Sequence, residues 1–341
     1  MAIVGAFDVH RRQLTFEYAD TLTGELCRGR ISPAHRASLR EWLTRFDGQD
    51  SDFALEGCTG WRYVAEELSL AGIRPHVAEP ADTAALRGPK RRAKTDRADT
   101  RHLRELLAGG SIPESWIPPT HVLETRATVR LYKDLTDQRG AWTQRLHATL
   151  YHLGVPPITA PLASDAGRAA LAVAELTPAT RQAVDVALAQ IDVTNAVLAP
   201  IKLQLARLSR HQPGCRGLQA AHYGVGPLTS VAIWSEMGDP RRFSSSSDAV
   251  RHAGLDITVW ASDTKRAKGH LARQGSSVLR WALYEAAMAA AKPASPDHAY
   301  FQSLRAQLGA QRAALTIARK LARRCHHTLR ALGDDAWTDV A

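Results

Sequence analysis

The chain has 341 residues, with 44 Lys or Arg against 34 Asp or Glu and a formal net charge of +10. An apolar share of 45% excludes a disordered chain, and the length allows for two to three domains of ~100–200 residues with real cores. With no uncharged apolar run of about 18 residues, no basic n-region before Asp8, and four scattered Cys without a C-x-x-C pair, the expectation is a cytoplasmic protein with no membrane partner. The basic surplus, at pI ≈ 9.8, points to a polyanionic partner, nucleic acid first.

Along the chain, Ile3 to Phe7 is a short apolar run that ends at Asp8 and reads as a buried strand. Leu14, Phe16 and Tyr18 alternate with polar residues, the period of a half-buried strand. A turn-like T-L-T-G-E precedes a third strand, Leu26 to Ile31. Ser32-Pro33 opens a helix with Leu39, Trp42, Leu43 and Phe46 on one face. A fourth strand through Phe53 ends at Glu56. Helical Trp61 to Ala71, a fifth strand Ile73 to Ala78, a basic loop and a helix from Asp96 to Leu107 follow. The order β-β-β-α-β-α-β-α, a meander followed by crossovers, matches the α/β ribonuclease H-like fold of RuvC-type nucleases and many transposases.

A Pro-marked linker, Ile112-Pro113 to Pro118-Pro119, leads to long helical patterns. Leu131, Leu135, Trp142, Leu146, Leu150 and Leu153 share one face until Gly154-Val155-Pro156-Pro157 breaks the arm. A second arm runs from Pro178 to His211. There Ile191, Leu198 and Leu205 recur every seven residues with Leu188 added, and polar Asn195 and Lys202 take positions that set register in coiled coils. Dimerising coiled coil and intramolecular hairpin fit this pattern equally. The remaining residues read as helices with Gly, Ser and basic loops. The division is 1–112, an α/β domain; 113–212, a helical or coiled-coil linker and dimerisation segment; and 213–341, a mostly helical C-terminal domain.

Four carboxylates stand out. Asp8 ends the first strand, Glu56 ends the fourth, and Asp96 and Asp99 share one face of a helix's opening turn. In a ribonuclease H-like sheet these positions converge. Hard divalent cations take oxygen ligands, and paired ions stabilise the attacking and leaving oxygens of phosphoryl transfer. Taken singly, each is an ordinary turn or cap residue. Tyr223 to Thr229, with Gly224 and Gly226, resembles the glycine hairpin of helix-hairpin-helix modules, whose N–H groups bind phosphate; a plain helix–helix turn is the alternative. Ser262 lies in a basic loop, where a hydroxyl nucleophile would have its charge offset. The Ser244 to Ser247 run reads as a loop or helix cap. Basic runs occur at Arg87, Lys90, Arg91, Arg92 and Lys94, at Lys265, Arg266, Lys268 and Arg273, and late in the chain from Arg305 to Arg330. These favour phosphate contacts. Cys325-His326-His327 is a weak metal candidate.

These marks together resemble the DEDD insertion-sequence transposases that include the Piv-type DNA invertases, with newer members described as bridge-RNA-guided recombinases. The resemblance rests on Phe7-Asp8-Val9-His10, Leu55-Glu56 with Thr59-Gly60, Lys94-Thr95-Asp96 with Asp99, Gly224-Val225-Gly226, Gly238-Asp239-Pro240 with Arg242-Phe243, Gly254-Leu255, Ser262, and Gly275 with Leu279-Arg280. It implies a RuvC-like site of Asp8, Glu56, Asp96 and Asp99 holding Mg²⁺ (or Mn²⁺), and a covalent phosphoserine at Ser262. It further implies donor and target double-stranded DNA and a noncoding bridge RNA as partners. Four strand cuts call for a homo-oligomer, a dimer or tetramer. Two departures stand out: Glu56-Gly57-Cys58-Thr59-Gly60 is one residue longer than the usual Glu-Ala-Thr-Gly, and Ser262-Asp263 replaces Ser-Gly, so that Asp263 becomes a further base or ligand candidate. The rival reading is a two-metal RuvC-like endonuclease or junction resolvase that uses water and in which Ser262 is structural.

Overall fold

Strand β1 (Ile3–Val9) sits at the centre of a six-stranded sheet. The computed structural model describes residues 2–87, 95–258, 261–262, 265–266 and 269–340, with only the backbone at 258, 261–262 and 265–266. Strands β2 (Leu14–Asp20) and β3 (Leu26–Ile31) extend the meander antiparallel on one side. On the other side β4 (Ser51–Glu56) and β5 (Arg74–Ala78) run parallel to β1, and a two-residue edge, β6 (Glu114–Ser115), closes the order β3-β2-β1-β4-β5-β6.

The helices of this part are α1 (Arg36–Leu43), α2 (Trp61–Leu70), α3 (Pro80–Leu86) and α4 (Asp96–Ala108). Two of them differ from the sequence reading. Helix α1 starts at Arg36, not at Ser32-Pro33, because His35 caps it, its Nδ1 accepting from the Ser38 N–H at 3.2 Å. Helix α3 occupies ground expected as loop; Pro80 at its first turn supplies a φ already suited to helix.

Alternation gives the sheet two different faces. One carries large apolar side chains: Phe7, Phe16 and Phe53 pack with Trp42 and Phe46, and Val64 and Leu68 of α2 join them. Ring centroids of Phe16 and Trp42 lie 4.5 Å apart, those of Phe7 and Phe53 5.1 Å. Gly5 is required there, since a Cβ would fall 2.2 Å from the Phe53 ring. The opposite face carries small residues, Val4, Ala6, Ala54 and Ala78, which let Leu103 and Leu107 of α4 lie close. That closeness holds the start of α4 over the ends of β1 and β4.

The chain divides into two compact units, Met1–Ile117 and Pro118–Ala341. In the second, α5 (Thr120–His152), α6 (Asp165–Val173) and α7 (Pro178–His211) pack together. Helices α5 and α7 run antiparallel: Arg139 donates to Asn195 Oδ1 at 3.2 Å, while Leu146 and Leu150 pack with Val184 and Leu188. Leu188, Ile191, Leu198 and Leu205 are all buried within the unit. The α5 stripe is less regular than its spacing suggests: Leu146 and Leu150 are buried, Leu131 is exposed, and Leu153, also exposed, is the C-cap beyond the last helical residue. By length and composition α7 is long and apolar enough to cross a membrane, the one such helix among the described residues, and part of it is buried within this unit.

Helices α8 (Pro213–Ala221), α9 (Pro227–Met237), α10 (Ser246–His252), α11 (Ser277–Met288), α12 (His298–Leu308) and α13 (Ala310–Leu332) complete the unit. Ser245 caps α10 reciprocally with Asp248, so the serine run does serve as a cap. Between α10 and α11 the expected basic loop contains paired strands. These are β7 (Ile257–Thr258), β8 (Ala261–Ser262), β9 (Lys265–Arg266) and β10 (His270–Leu271). The β-branched pair Ile257-Thr258 of β7 carries strand propensity that the loop reading passed over.

Candidate functional site

Strand register places the candidate carboxylates. Asp8 pairs with Thr15 across β1–β2, and Thr15 pairs with Arg30 across β2–β3. Phe7 pairs with Leu55, so Glu56 follows Asp8 by the same step. Arg30, Thr15, Asp8 and Glu56 therefore form one row across four strands, on the face that α4 covers. Thr95 caps α4, its Oγ1 accepting from the Ala98 N–H at 3.3 Å. This sets Asp96 and Asp99 in the first turn, where the helix dipole favours carboxylates.

The structure brings Asp8 and Asp96 together and adds His10, which sequence reasoning did not assign. One donor atom from each of Asp8, His10 and Asp96 lies within 4.8 Å of the others. His10 Nε2 is 3.1 Å from Asp8 Oδ2 and 3.6 Å from Asp96 Oδ1. Its signal was available: His10 stands two residues past Asp8, where the strand has just ended. Asp99 and Glu56 meet through Arg87, whose Nη1 lies 2.5 Å from Asp99 and whose Nη2 lies 3.4 Å from Glu56. Arg87, read as a nucleic-acid contact, thus neutralises two of the carboxylates here. Burial, and then the neighbouring Asp96 and Asp99 charges, push the Asp8 carboxyl above its ordinary range, while His10 opposes the shift. A bound cation would oppose it more strongly. Two carboxylates and an imidazole within this span are a suitable donor set for one divalent ion, with Asp99 and Glu56 beside it.

Lys90, Arg91, Arg92 and Lys94 lie outside the described residues, as do Asp263 and Lys268. Cys325 is fully buried, which pushes its thiol up and makes it a core residue. Among the described residues, the grouping with metal-ligand geometry is Asp8, His10 and Asp96.

In the second unit Ser262 occupies a short hairpin. Ser262 pairs with Lys265 and Ala261 with Arg266. Below them Thr258 pairs with His270 and Ile257 with Leu271. Ser262, Lys265 and Arg266 thus belong to the β8–β9 pair, and β7 with β10 forms a second two-stranded pair. Arg319 of α13, which sequence reasoning left in a generic basic run, supports its base by donating to the Leu255 carbonyl at 2.6 Å. Arg273 follows β10 in a left-handed conformation, φ 55°, unusual outside glycine. Lys320 and Arg324, of the same late run, are paired with Asp297 at 2.8 and 2.6 Å.

Gly224 and Gly226 do lie in a helix–turn–helix between α8 and α9. Gly224 has φ +90°, and a Cβ there would lie 2.4 Å from the Ala286 carbonyl oxygen. The Gly226 N–H is occupied by Thr229 Oγ1 at 2.9 Å. Arginines tie the far end of α9 to α5. Arg126 donates to the Ser235 carbonyl at 2.6 Å, and Arg130 grips the buried Glu236 at 2.9 and 3.1 Å. Burial lowers the Arg126 and Arg242 guanidiniums to about 10. His252 beside them is lowered to about 4 by burial and by Arg242.

Residues 220–302, which include α9, the hairpin and α11, match the model of the Transposase IS116/IS110/IS902 family. No curated protein matches the chain. The match supports an insertion-sequence transposase, an enzyme of DNA cleavage and rejoining with DNA as its partner.

Proposed function

We propose that the protein is a transposase of the DEDD, Piv-like type that cuts and rejoins DNA through a phosphoserine at Ser262. The observation that carries the reading is that the matched segment 220–302 contains Ser262, in a hairpin beside Lys265 and Arg266. The first unit, with its order β3-β2-β1-β4-β5-β6 and α4 over the ends of β1 and β4, is read as a RuvC-like nuclease domain.

In the proposed reaction Ser262 Oγ attacks the scissile phosphorus. The P–Oγ bond forms, the P–O3′ bond breaks, and the hydroxyl proton passes to a base while the leaving 3′ oxygen is protonated. The phosphoserine keeps the strand activated, so a second 3′ hydroxyl can reverse the step without ATP. Lys265 and Arg266, with Lys268 and Arg273, offset charge on the phosphate. Asp8, Glu56, Asp96 and Asp99, with His10, would hold Mg²⁺ or Mn²⁺. Such an ion would supply charge that polarises a phosphate oxygen. A noncoding bridge RNA choosing donor and target fits a chain rich in Arg and poor in aromatics (6%). A dimer or tetramer with central-helix contacts supplies four cuts.

A water-using two-metal nuclease is favoured by one observation: all four carboxylates lie in residues 8–99 of a single compact unit. Ser262→Ala separates the two readings. The serine mechanism expects the variant to bind DNA and Mn²⁺ but to form no protein–DNA adduct on a denaturing gel; cutting and rejoining at the wild-type rate would refute it. Asp96→Asn should weaken Mn²⁺ binding at least tenfold in a spin-resonance titration, and unchanged binding would remove the metal site.

A further inference from the structure

The row that ends in the carboxylates begins in arginine, and this end belongs to none of the sites described above. Arg28 and Arg30 alternate onto the α4 face of β3. Arg97, Arg101 and Arg104 recur on one flank of α4 at steps of four and three, the spacing of helical neighbours. Between the two elements is a cleft of about 270 Å³ whose walls include Thr15, Arg28, Arg30 and Arg97.

The charge in this cleft is lopsided. Three guanidiniums, of Arg28, Arg101 and Arg104, face the buried carboxylate of Glu17, Arg30 and Arg97 line the same cleft, and Glu105 lies beside Arg104 at 3.6 Å. Glu17 lies 3.0 Å from Arg104 and 3.8 Å from Arg28 and Arg101. It holds these three in place while being 97% or more shielded from solvent itself. Arg30 and Arg97 are exposed, and neither has an ion-pair partner among the described residues. The floor carries a further unmatched group: the Thr15 hydroxyl oxygen is buried without a hydrogen-bond partner among the described residues. A stability role would use Arg30 and Arg97 in pairs. Exposed, unpaired and flanking a cleft, they are arranged for an external anion.

We infer that this cleft binds the phosphodiester backbone of the DNA strand leading into the carboxylate site. Position identifies the partner. Arg97 is the residue next to Asp96, and Arg30 stands two strands from Asp8 in the same cross-sheet row. Two interstrand steps of ~4.8 Å give about 10 Å, or roughly three nucleotides at ~3.4 Å rise. A strand whose phosphate reaches Asp8 and Asp96 therefore has its next few phosphates over Arg97 and Arg30. Backbone contacts of this kind set register on the nucleic acid and read no sequence. The inference rests on the transposase reading, because it takes DNA as the molecule entering the carboxylate site.

The test is the affinity of the full chain for a labelled DNA duplex, by fluorescence anisotropy, across a salt series. Arg30→Ala with Arg97→Ala should lower the salt slope by about 2, at ~0.9 for each phosphate left without its arginine, and weaken binding about tenfold or more near 0.1 M salt. Its melting temperature should stay at the wild-type value, since neither side chain is paired, and Arg30→Lys with Arg97→Lys should restore most of the slope. A double alanine variant with wild-type affinity and slope, in a protein that binds DNA, overturns the cleft and leaves the transposase reading standing. If the wild type itself does not bind DNA, the transposase reading falls and takes the cleft with it. Loss of affinity for a structured RNA alone, with DNA binding unchanged, also overturns the assignment.

Discussion

Substituting the two glycines of the α8–α9 turn separates structure from phosphate binding. Gly224 sits at φ +90°, and an added Cβ would lie 2.4 Å from the Ala286 carbonyl oxygen and 2.7 Å from Ala289 Cβ. An L side chain in left-handed backbone costs ~1–2 kcal/mol, and forcing atoms into packed surroundings costs ~1–3 kcal/mol more. Gly224→Ala is therefore expected to lose about 2–5 kcal/mol, a large share of a domain's ~5–15 kcal/mol. Gly226 differs: its backbone is extended (φ −94°, ψ −178°) and its Cβ would meet nothing within 4 Å. Gly226→Ala should cost under about 1 kcal/mol, since its N–H bond to Thr229 survives and only the cap preference changes. Urea unfolding followed by tryptophan fluorescence measures both, with Gly224→Ala shifting the midpoint at constant slope. A wild-type midpoint for Gly224→Ala would refute the close-approach argument. Weaker DNA binding by Gly226→Ala at unchanged stability would show that the turn touches phosphate despite its internal hydrogen bonds.

Two further outcomes follow from the same reasoning. Thr95→Ala removes the cap of α4 and should cost about 1 kcal/mol in denaturant titration; because the frayed turn carries Asp96 and Asp99, Mn²⁺ affinity should fall several-fold, and a change in stability alone would uncouple cap from site. His252 is held neutral, its folded pKa of about 4 lying below the ordinary 6.5. Between those values the unfolded chain takes up a proton that the folded chain refuses. Stability should therefore fall as pH drops from 6.5 to 4, by about 3 kcal/mol at 1.36 kcal/mol per unit, and level off below. His252→Gln should flatten that dependence in thermal melts at graded pH, and an unchanged pH profile would discount the half-buried, neutral ring.

The α/β unit was legible because its signals are local and mutually consistent. Alternation in β2, short apolar runs at β1 and β4, and Pro or Gly between them set strands whose faces admit one pairing. The long helices were legible for the same reason: Pro178 and Gln212-Pro213-Gly214 bracket α7 within a residue. What stayed hidden was set by contacts distant in sequence. The start of α1 depends on a histidine cap in place of the commoner Ser or Asp. The seat of Gly224 depends on a carbonyl some sixty residues away. The hairpin holding Ser262 joins two-residue strands, too short for periodicity, whose base is supported by Arg319 on α13.

The carboxylates show where spacing stops being informative. Asp96 and Asp99 could be paired from sequence, since i and i+3 share a helix face whatever the fold. Asp8 and Glu56 could be aligned only through a fold, because nothing local brings residues 8 and 56 together; parallel register does so here. His10 and Arg87 required coordinates. His10 lies beyond the end of β1, where no period applies, and Arg87 looked like one more member of a basic run until it paired with Asp99 and Glu56. The same register logic runs the other way across the sheet. Once Asp8 is a site residue, its row neighbours Thr15 and Arg30 cannot be neutral scaffold, because they share its face and its electrostatic field. On this face of the first unit the arginines near the carboxylates thus divide: Arg87 is clamped between Asp99 and Glu56, while unpaired Arg30 and Arg97 favour an incoming phosphate where the carboxylates alone would repel it.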